Sequence, residues 1–344
     1  MLYVGVDAHK STSQITVMNE AGVILRRKRI ASTREGFQEA LAGFNEPLKS
    51  VLEASYSWGP MYDWLDDMSE EVLLAHPLKV RAIASARIKN DRIDSETLTH
   101  LLRTNLIPAA HAPSREIRAL RRVLRQRMFF VQVRTMLRNR VRALLAQHSV
   151  KLPENESLYT KQGRAWLDRV GLPGSDAHLL RGDCELHDSI EEQIGSTDML
   201  INKLAAQDPS VKWLISLPGI GRFLSVLIRW EADDIHRFPD AKHFVSYTGL
   251  APSTYASSSR LVHGPLTKQG NKWLRWAFIE AVTPAVRSSQ FVRDHYMKVK
   301  SRRGTNDARC STARKLAEIT YTVWSEQRCW EETRSCSKRL RLPS

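Results

Sequence analysis

A stretch from 114 to 148 contains neither glycine nor proline, and it strongly limits how this chain can fold. Apolar residues recur through it at near-helical spacing, which places them on one stripe of an α-helix. A second amphipathic stretch, rich in Asp and Glu, covers about 177–206, and residues 153–174 separate the two. Two long helices joined in this way predict an antiparallel coiled coil, with self-association between chains as the alternative.

The first of these helices is strongly basic. It carries ten arginines and one acidic residue between Arg115 and Arg142. Because arginine binds phosphate through charge-assisted hydrogen bonds, this excess favours a helix that contacts nucleic acid, with Arg118, Arg122 and Arg125 as candidate contacts. A helix that serves only as a spacer is the alternative.

The N-terminal residues predict a mixed sheet. Residues 2–6, 14–19 and 23–30 read as three strands with turns between them. Helical and strand-like segments then alternate, beginning with a helix over 35–44 that Thr33 would cap. This order is typical of a ribonuclease H-like α/β domain.

Four acidic residues stand where such a domain would place metal ligands. Asp7 and Glu53 each end a hydrophobic run, while Asp91 and Asp94 are three residues apart and would share one face of a helix. Divalent cations such as Mg²⁺ need converging oxygen ligands for phosphoryl transfer. The alternatives are a turn-forming aspartate for Asp7 and a helix cap for the later pair. An actin-like ATPase is disfavoured because residues 8–10 lack the Gly, Ser or Thr of a phosphate loop.

The C-terminal part is predicted to be mostly helical with polar loops. Gly219 and Gly221 lie in a Pro-Gly-Ile-Gly turn, which is either a helix-hairpin-helix type of phosphate contact or a structural turn between helices. The serine run 257–259 reads as a linker by composition, and a basic helical tail is expected after residue 268. Cationic residues near the serine run are candidate phosphate contacts: Arg260, Lys268 and Lys272.

The overall composition favours a nucleic-acid partner. The 344 residues include 52 Lys and Arg against 37 Asp and Glu, a formal charge of +15. The four cysteines form no C-x-x-C pair, so a zinc site is not expected. The chain shows no signal-peptide pattern and no apolar run of about eighteen residues, so we expect a cytoplasmic, nucleoid-associated protein without a membrane partner.

Six short motifs together resemble one family of mobile-element proteins. They are YVGVD at 3–7, LEAS at 52–55, KNDRID at 89–94, LPGIG at 217–221, YTGLAP at 247–252 and ARKLA at 313–317. The chain is similar over nearly its whole length to the DEDD-type transposases of the IS110 insertion-sequence family, which are RNA-guided DNA recombinases.

The resemblance implies three regions and a set of site residues. It implies a Holliday-junction-resolvase-like domain over 1–110, a coiled-coil region over 111–208 and a C-terminal transposase domain over 209–344. It also implies that Mg²⁺ (or Mn²⁺) is held by Asp7, Glu53, Asp91 and Asp94. The family's nucleophilic serine would be Ser257, two residues after Tyr255. Ser258 and Ser259 remain alternatives because this chain lacks the glycine that usually follows the family's serine.

The resemblance further implies partners and a reaction. A structured bridge RNA would pair with donor and target DNA, a seryl–DNA intermediate would form, and the protein would act as a homodimer or homotetramer. Two other functions stay open: a metal-dependent junction nuclease that uses water, and a catalytically silent nucleic-acid-binding protein.

Overall fold

Six strands near the start of the chain form one mixed sheet in this computed structural model. The structure describes residues 1–55, 57–84, 91–153, 157–257, 260–267 and 269–331, and at 92, 254–257, 260–263 and 265 it describes the backbone alone. The strands are β1 Leu2–Ala8, β2 Thr12–Met18, β3 Ile24–Ala31, β4 Leu48–Glu53, β5 Glu71–Ala75 and β6 Ala109–Ala110. Their spatial order is β3-β2-β1-β4-β5-β6. The β1–β4 and β4–β5 pairs are parallel and the other three pairs are antiparallel.

Helices cover both faces of this sheet because its central strands are apolar on both sides. The helices are α1 Arg34–Leu41, α2 Trp58–Asp66, α3 Pro77–Ile83 and α4 Asp91–Arg103. Phe37 and Leu65, from α1 and α2, are fully buried against one face. Leu98 and Leu102, from α4, pack with Val51 on the other face. A mixed α/β sheet of this kind is compatible with the predicted ribonuclease H-like arrangement.

The predicted cap of the first helix is confirmed. The Oγ1 atom of Thr33 accepts a hydrogen bond from the Gly36 amide at 3.2 Å, which pairs one of the free N–H groups of the first turn. The helix ends at Leu41, earlier than predicted, because Ala42 leaves the helical region with ψ of 140°.

The chain divides into two units, Met1–Glu116 and Ile117–Ser344. The remaining helices are α5 Arg115–Gln147, α6 Lys161–Leu167, α7 Gly174–Leu204, α8 Pro209–Ile215, α9 Arg222–Ala232, α10 Ala241–Thr248, α11 Lys272–Ser288, α12 Gln290–Arg303 and α13 Thr305–Ser325. Two further strands, β7 Pro252–Ser257 and β8 Arg260–Leu266, form an antiparallel hairpin. Across the part of the chain that the structure describes, every helix is too short or too polar to cross a membrane.

Helices α5 and α7 run antiparallel and are joined by ion pairs. Arg127 contacts Asp198 at 2.8 Å, and Arg140, further along α5, contacts Asp183, which is earlier in α7, at 3.1 Å. Between them, Glu191 accepts hydrogen bonds from Arg134 and Arg138. The acidic residues of the second helix therefore meet the arginines of the first, while the coiled coil itself stays a prediction.

Two predictions for the C-terminal part have mixed outcomes. Of the serine run predicted as a linker, Ser257 ends one strand of the hairpin and pairs with Arg260, whereas Ser258 and Ser259 lie outside the described residues. The helical character predicted after residue 268 is confirmed, but α11 and α13 belong to the second unit's core rather than to a tail. Phe278 and Val323, one from each helix, are fully buried there. Apolar faces on these helices overcome their cationic composition.

Candidate active site

Asp7 and Glu53 lie at the same edge of the six-stranded sheet. β1 and β4 are parallel neighbours, and Val6 pairs with Leu52. Each carboxylate follows this pair by one residue, and parallel strands bring their carboxyl ends to one edge, where α/β proteins commonly bind ligands. Two hydrophobic runs that are separate in the sequence thus form adjacent parallel strands, and the acid that ends each run lies at the same edge of the sheet.

Helix α4 packs very closely over β1 at Gly5. A Cβ atom added at Gly5 would lie 2.3 Å from both the Ser95 carbonyl oxygen and Thr99 Oγ1. The Thr16 and Ser95 hydroxyls share a hydrogen bond of 2.9 Å, and Thr99 Oγ1 donates to the Ser95 carbonyl oxygen at 2.7 Å. Because glycine has no side chain, α4 can approach this closely. The helix starts at Asp91, so its first turn reaches the sheet edge.

Asp7, His9 and Asp91 form one group of ligand atoms at this edge. One ligand atom from each lies within 4.8 Å of the others. His9 Nε2 is 3.2 Å from Asp7 Oδ2 and 3.5 Å from Asp91 Oδ1, so the imidazole bridges the two carboxylates. Among the described residues, this group includes two of the four predicted acids. Glu53 lies outside it as the half-buried end of β4, and Asp94 lies one turn further along α4.

The electrostatics of Asp7 reflect this crowding. Burial raises the pKa of Asp7 above its ordinary value, and the nearby carboxylates of Asp91 and Asp94 raise it further. His9 acts in the opposite direction and lowers the Asp7 pKa through its charge and its hydrogen bond. Several carboxylates held close together favour a positive charge between them, which a proton or a divalent cation can supply.

The donor set fits a divalent cation. Carboxylate oxygens suit Mg²⁺ and Mn²⁺, and an imidazole nitrogen extends the choice toward transition metals such as Mn²⁺. Two buried polar atoms near the same edge, Ser55 Oγ and His76 Nδ1, have no hydrogen-bond partner among the described residues. Unpaired buried polar atoms are uncommon in proteins and suggest that a ligand or water completes the site.

His9 is a site residue that was not predicted from the sequence. It follows Asp7 by two positions and lies one residue beyond the end of β1, where continued strand alternation would place residues i and i+2 on the same side. That period was the available signal. The contact with Asp91 depends on the packing of α4 and has no local signature.

The C-terminal site residues lie on or near the β7–β8 hairpin. Ser257 is the last residue of β7 and Arg260 the first of β8, and their side chains are outside the described residues. Ser258, Ser259 and Lys268 lie outside the described residues altogether. Lys272 begins α11, with its Nζ atom 4.8 Å from the centre of the Trp273 ring.

The two glycines of the Pro-Gly-Ile-Gly turn have different roles. Gly219 has φ of +76°, and an added Cβ would lie 2.2 Å from the Ala281 carbonyl oxygen of α11. A glycine is therefore needed there for packing, as the structural-turn interpretation predicts. Gly221 precedes α9 with an ordinary φ of −80° and open space around its Cα. Its predicted phosphate contact stays a prediction.

Most arginines of α5 are already engaged within their own unit. Arg125, predicted to bind nucleic acid, contacts the buried carboxylate of Glu231 at 3.1 Å. Arg122 is exposed and has no ion-pair partner among the described residues, while Arg118 is half-buried. Among the described residues, the arginines of α5 that pair with carboxylates include Arg115, Arg121, Arg125, Arg127, Arg134, Arg138 and Arg140.

Comparison with known proteins identifies the class of the chain. A model of DEDD-type IS110 transposases, described as a transposase, matches residues 4–150. A second model, described as a transposase of the IS116/IS110/IS902 family, matches residues 211–297. The first match contains the acidic sheet edge, and the second contains the serine hairpin. Both describe the same class, so the chain is an insertion-sequence transposase.

Several curated relatives align with almost the whole chain. A probable family 20 transposase of Pseudomonas aeruginosa is 23% identical, with 95% of this chain and 98% of the relative covered. The transposase for insertion sequence element IS1111A of Coxiella burnetii is also 23% identical, covering 94% of this chain and 89% of its own length. The transposase for IS1328 of Yersinia enterocolitica is 22% identical, with 94% and 96% covered. The chain belongs to the IS116/IS110/IS902 family of transposases, as its motifs predicted.

Proposed function

We propose that the chain catalyses site-specific DNA recombination for its insertion sequence through a seryl–DNA intermediate. Ser257 is the nucleophile, and Asp7, Glu53, Asp91 and Asp94 hold Mg²⁺ or Mn²⁺. The observation that supports this most is the convergence of Asp7 and Asp91 with His9 at the sheet edge of a transposase. Such a group is costly to assemble without a positive charge, and DNA strand transfer needs one.

The chemistry divides between the acidic group and the serine. When bound, the cation would neutralise charge on the scissile phosphate and favour ionisation of a nearby hydroxyl. Ser257 Oγ forms a bond to phosphorus, the bond from phosphorus to a deoxyribose oxygen breaks, and that oxygen takes up the proton the serine loses. One phosphate ester replaces another, so no nucleotide cofactor is consumed. Reversal of the same step on a second DNA end joins the exchanged strands.

The proposal extends to partners and to the three predicted regions. Residues 1–110 carry the metal, 111–208 supply the helical pair, and 209–344 supply the serine. A bridge RNA that pairs with donor and target DNA delegates sequence choice to base pairing, and the protein then contacts mainly backbone and shape. Exposed cations such as Arg122 and Lys272 suit such contacts. A homodimer or homotetramer provides one active serine for each strand exchanged.

A two-plasmid recombination assay in cells tests this function. One plasmid carries the element end with its flanking non-coding DNA, and the other carries a target. Wild type is compared with Asp94→Ala and Ser257→Ala, and denaturing gels report protein–DNA adducts. Matched controls are Glu35→Ala and Ser288→Ala, which remove an exposed carboxylate and a hydroxyl far along the chain from the proposed site residues. We expect recombination to be lost in both site variants and kept in both controls.

The outcomes separate the competing functions. A wild-type adduct that is absent only in Ser257→Ala supports the seryl mechanism. An adduct that persists in Ser257→Ala moves the nucleophile to Ser258 or Ser259. Cleavage without any adduct indicates a junction nuclease that uses water. A wild type that neither recombines nor cleaves DNA, with nucleic-acid binding unchanged in Asp7→Ala, would indicate a catalytically silent nucleic-acid-binding protein.

A further inference from the structure

Glu231 is a buried carboxylate in the second unit with an unusually complete set of partners. It lies in α9 and is 1% exposed. Arg125 contacts its Oε1 atom at 3.1 Å, and Arg121 Nε lies 3.6 Å from Oε2. Asn271 Nδ2 donates to Oε2 at 2.7 Å. A buried carboxylate is costly unless it is paired and hydrogen-bonded, so these contacts are tightly linked to one another.

Asn271 connects this carboxylate to the start of α11. Its Oδ1 atom accepts hydrogen bonds from the amides of Trp273 at 2.9 Å and Leu274 at 3.2 Å, which caps the helix. Its own amide donates to the Tyr247 carbonyl oxygen at 2.7 Å, near the end of α10. The side chain of Asn271 thus joins α9 to α11, and its backbone amide adds the link to α10.

Both ends of the β7–β8 hairpin arrive at this point. β7 starts at Pro252, shortly after α10, and β8 ends at Leu266, shortly before Asn271. The Thr267 amide donates to the Ala251 carbonyl oxygen at 3.2 Å and closes the base of the hairpin. Gly270 has φ of +142°, and an added Cβ would lie 2.6 Å from the Tyr247 carbonyl oxygen. Gly270, between the hairpin and Asn271, is therefore packed against the same carbonyl oxygen that accepts the Asn271 amide.

We infer that Glu231 and Asn271 form an anchor that orients the β7–β8 hairpin and so positions Ser257 for attack. Only one part of this inference, the role of Ser257 as nucleophile, rests on the proposed function. The Glu231 side chain is buried and faces protein groups, so it acts through Asn271 and the hairpin base. Both are positioning residues. Their loss should change the rate of the chemical step far more than the affinity for DNA.

Substitutions at the two positions isolate the contact. Asn271→Asp keeps the cap acceptor of α11 but removes the donor to Glu231 and sets a second carboxylate against it. Asn271→Ser also keeps a cap acceptor and removes the donor without adding charge. The double variant Glu231→Gln with Asn271→Asp exchanges carboxylate and amide, so the hydrogen bond is restored with reversed polarity and the total charge is unchanged. Asp240→Asn, which alters the cap of α10 in the same conservative way, is the matched control.

Two measurements on the full chain report the anchor. Amide hydrogen exchange across 252–266 reports the hairpin directly and needs no DNA, and the rate of seryl–DNA adduct formation reports the reaction. We expect Asn271→Asp to speed exchange and to slow adduct formation by about tenfold or more, Asn271→Ser to do so less, and the double variant to recover most of both. The DNA affinity of the Asn271 variants, measured by fluorescence anisotropy, should stay near the wild-type value. The unfolding midpoint of the control Asp240→Asn should also stay near wild type.

The outcomes distinguish the anchor from the proposed function. Unchanged exchange in both Asn271 variants, or no recovery in the double variant, would overturn the anchor. Faster hydrogen exchange together with a loss of DNA affinity as large as the loss in adduct-formation rate would also overturn the anchor. That pattern indicates a general loss of structure. If exchange follows the expected pattern but the wild type forms no adduct on any DNA, the anchor is supported and the seryl mechanism fails.

Discussion

Gly5→Ala is the substitution that most directly tests how the fold builds the acidic group. The added Cβ would lie 2.3 Å from the Ser95 carbonyl oxygen, whereas ordinary contacts begin at 3.4 Å. Two of the three obstructing atoms, the Ser95 carbonyl oxygen and the Thr99 amide nitrogen at 2.7 Å, belong to the backbone of α4 and cannot rotate aside. The helix must therefore move away from β1 by about 1 Å, and overpacking of this kind costs about 1–3 kcal/mol of unfolding free energy.

This displacement carries Asp91 and Asp94 away from Asp7. We expect Mn²⁺ affinity to fall by about 10–100-fold, the range seen when groups that orient metal ligands are changed. Mn²⁺ is the suitable probe because its free and bound forms are distinguished by electron paramagnetic resonance, without DNA or activity. Urea unfolding of the same samples gives the loss of stability.

Gly36→Ala is the matched control for stability. Its added Cβ would lie 2.5 Å from the Ala31 carbonyl oxygen, so it also clashes with backbone in the first unit, at the start of α1. We expect a similar loss of unfolding free energy and unchanged Mn²⁺ affinity. Wild-type Mn²⁺ affinity in Gly5→Ala, or an equal loss in both variants, would refute the reasoning that α4 packing creates the site.

Three further predictions concern other contacts. His9→Ala should weaken Mn²⁺ binding more than Mg²⁺ binding and remove the ¹⁴N coupling of an imidazole from the Mn²⁺ spectrum; an unchanged coupling would exclude His9 as a ligand. Arg122→Ala should reduce the slope of log nucleic-acid affinity against log salt concentration by about one unit. Arg134→Ala breaks an ion pair with Glu191 and should mainly lower the free energy of unfolding in urea. His187 is a buried residue of α7, and burial lowers its pKa, so the unfolded chain takes up a proton first as the pH falls. The free energy of unfolding should therefore decrease below about pH 6.5, and His187→Gln should remove part of that decrease.

Local patterns in the sequence predict the parts of the fold that depend on short-range periodicity. The runs ending at Asp7 and Glu53 become neighbouring strands because short, continuous apolar runs are typical of strands that are buried on both faces of a sheet. Asp91 and Asp94 lie in the first turn of a helix, as their spacing predicts. In these cases a few adjacent residues are enough to predict the strand or the helix turn.

The remaining features depend on contacts between distant residues. Ser257 begins a run with the composition of a linker, and its place at the end of β7 follows from pairing with the strand that starts at Arg260. The arginines of α5 have the pattern of a basic surface, but Arg127 and Arg140 are paired with acids in α7. The same arginine pattern is compatible with a helix face exposed to solvent and with a face that packs against acidic residues. The acidic residues of α7 determine which of the two forms.

Because the β7–β8 hairpin is long, a small rotation at its base produces a large displacement at its tip. Five residue steps separate Pro252 from Ser257, and at about 3.3 Å per step the serine lies about 16 Å from the hairpin base. A rotation of about 4° at the base would then move the serine by about 1 Å, a misplacement that can slow a reaction by about a hundredfold. With Ser257 as the proposed nucleophile, the residues at the hairpin base would have to hold its orientation within a few degrees.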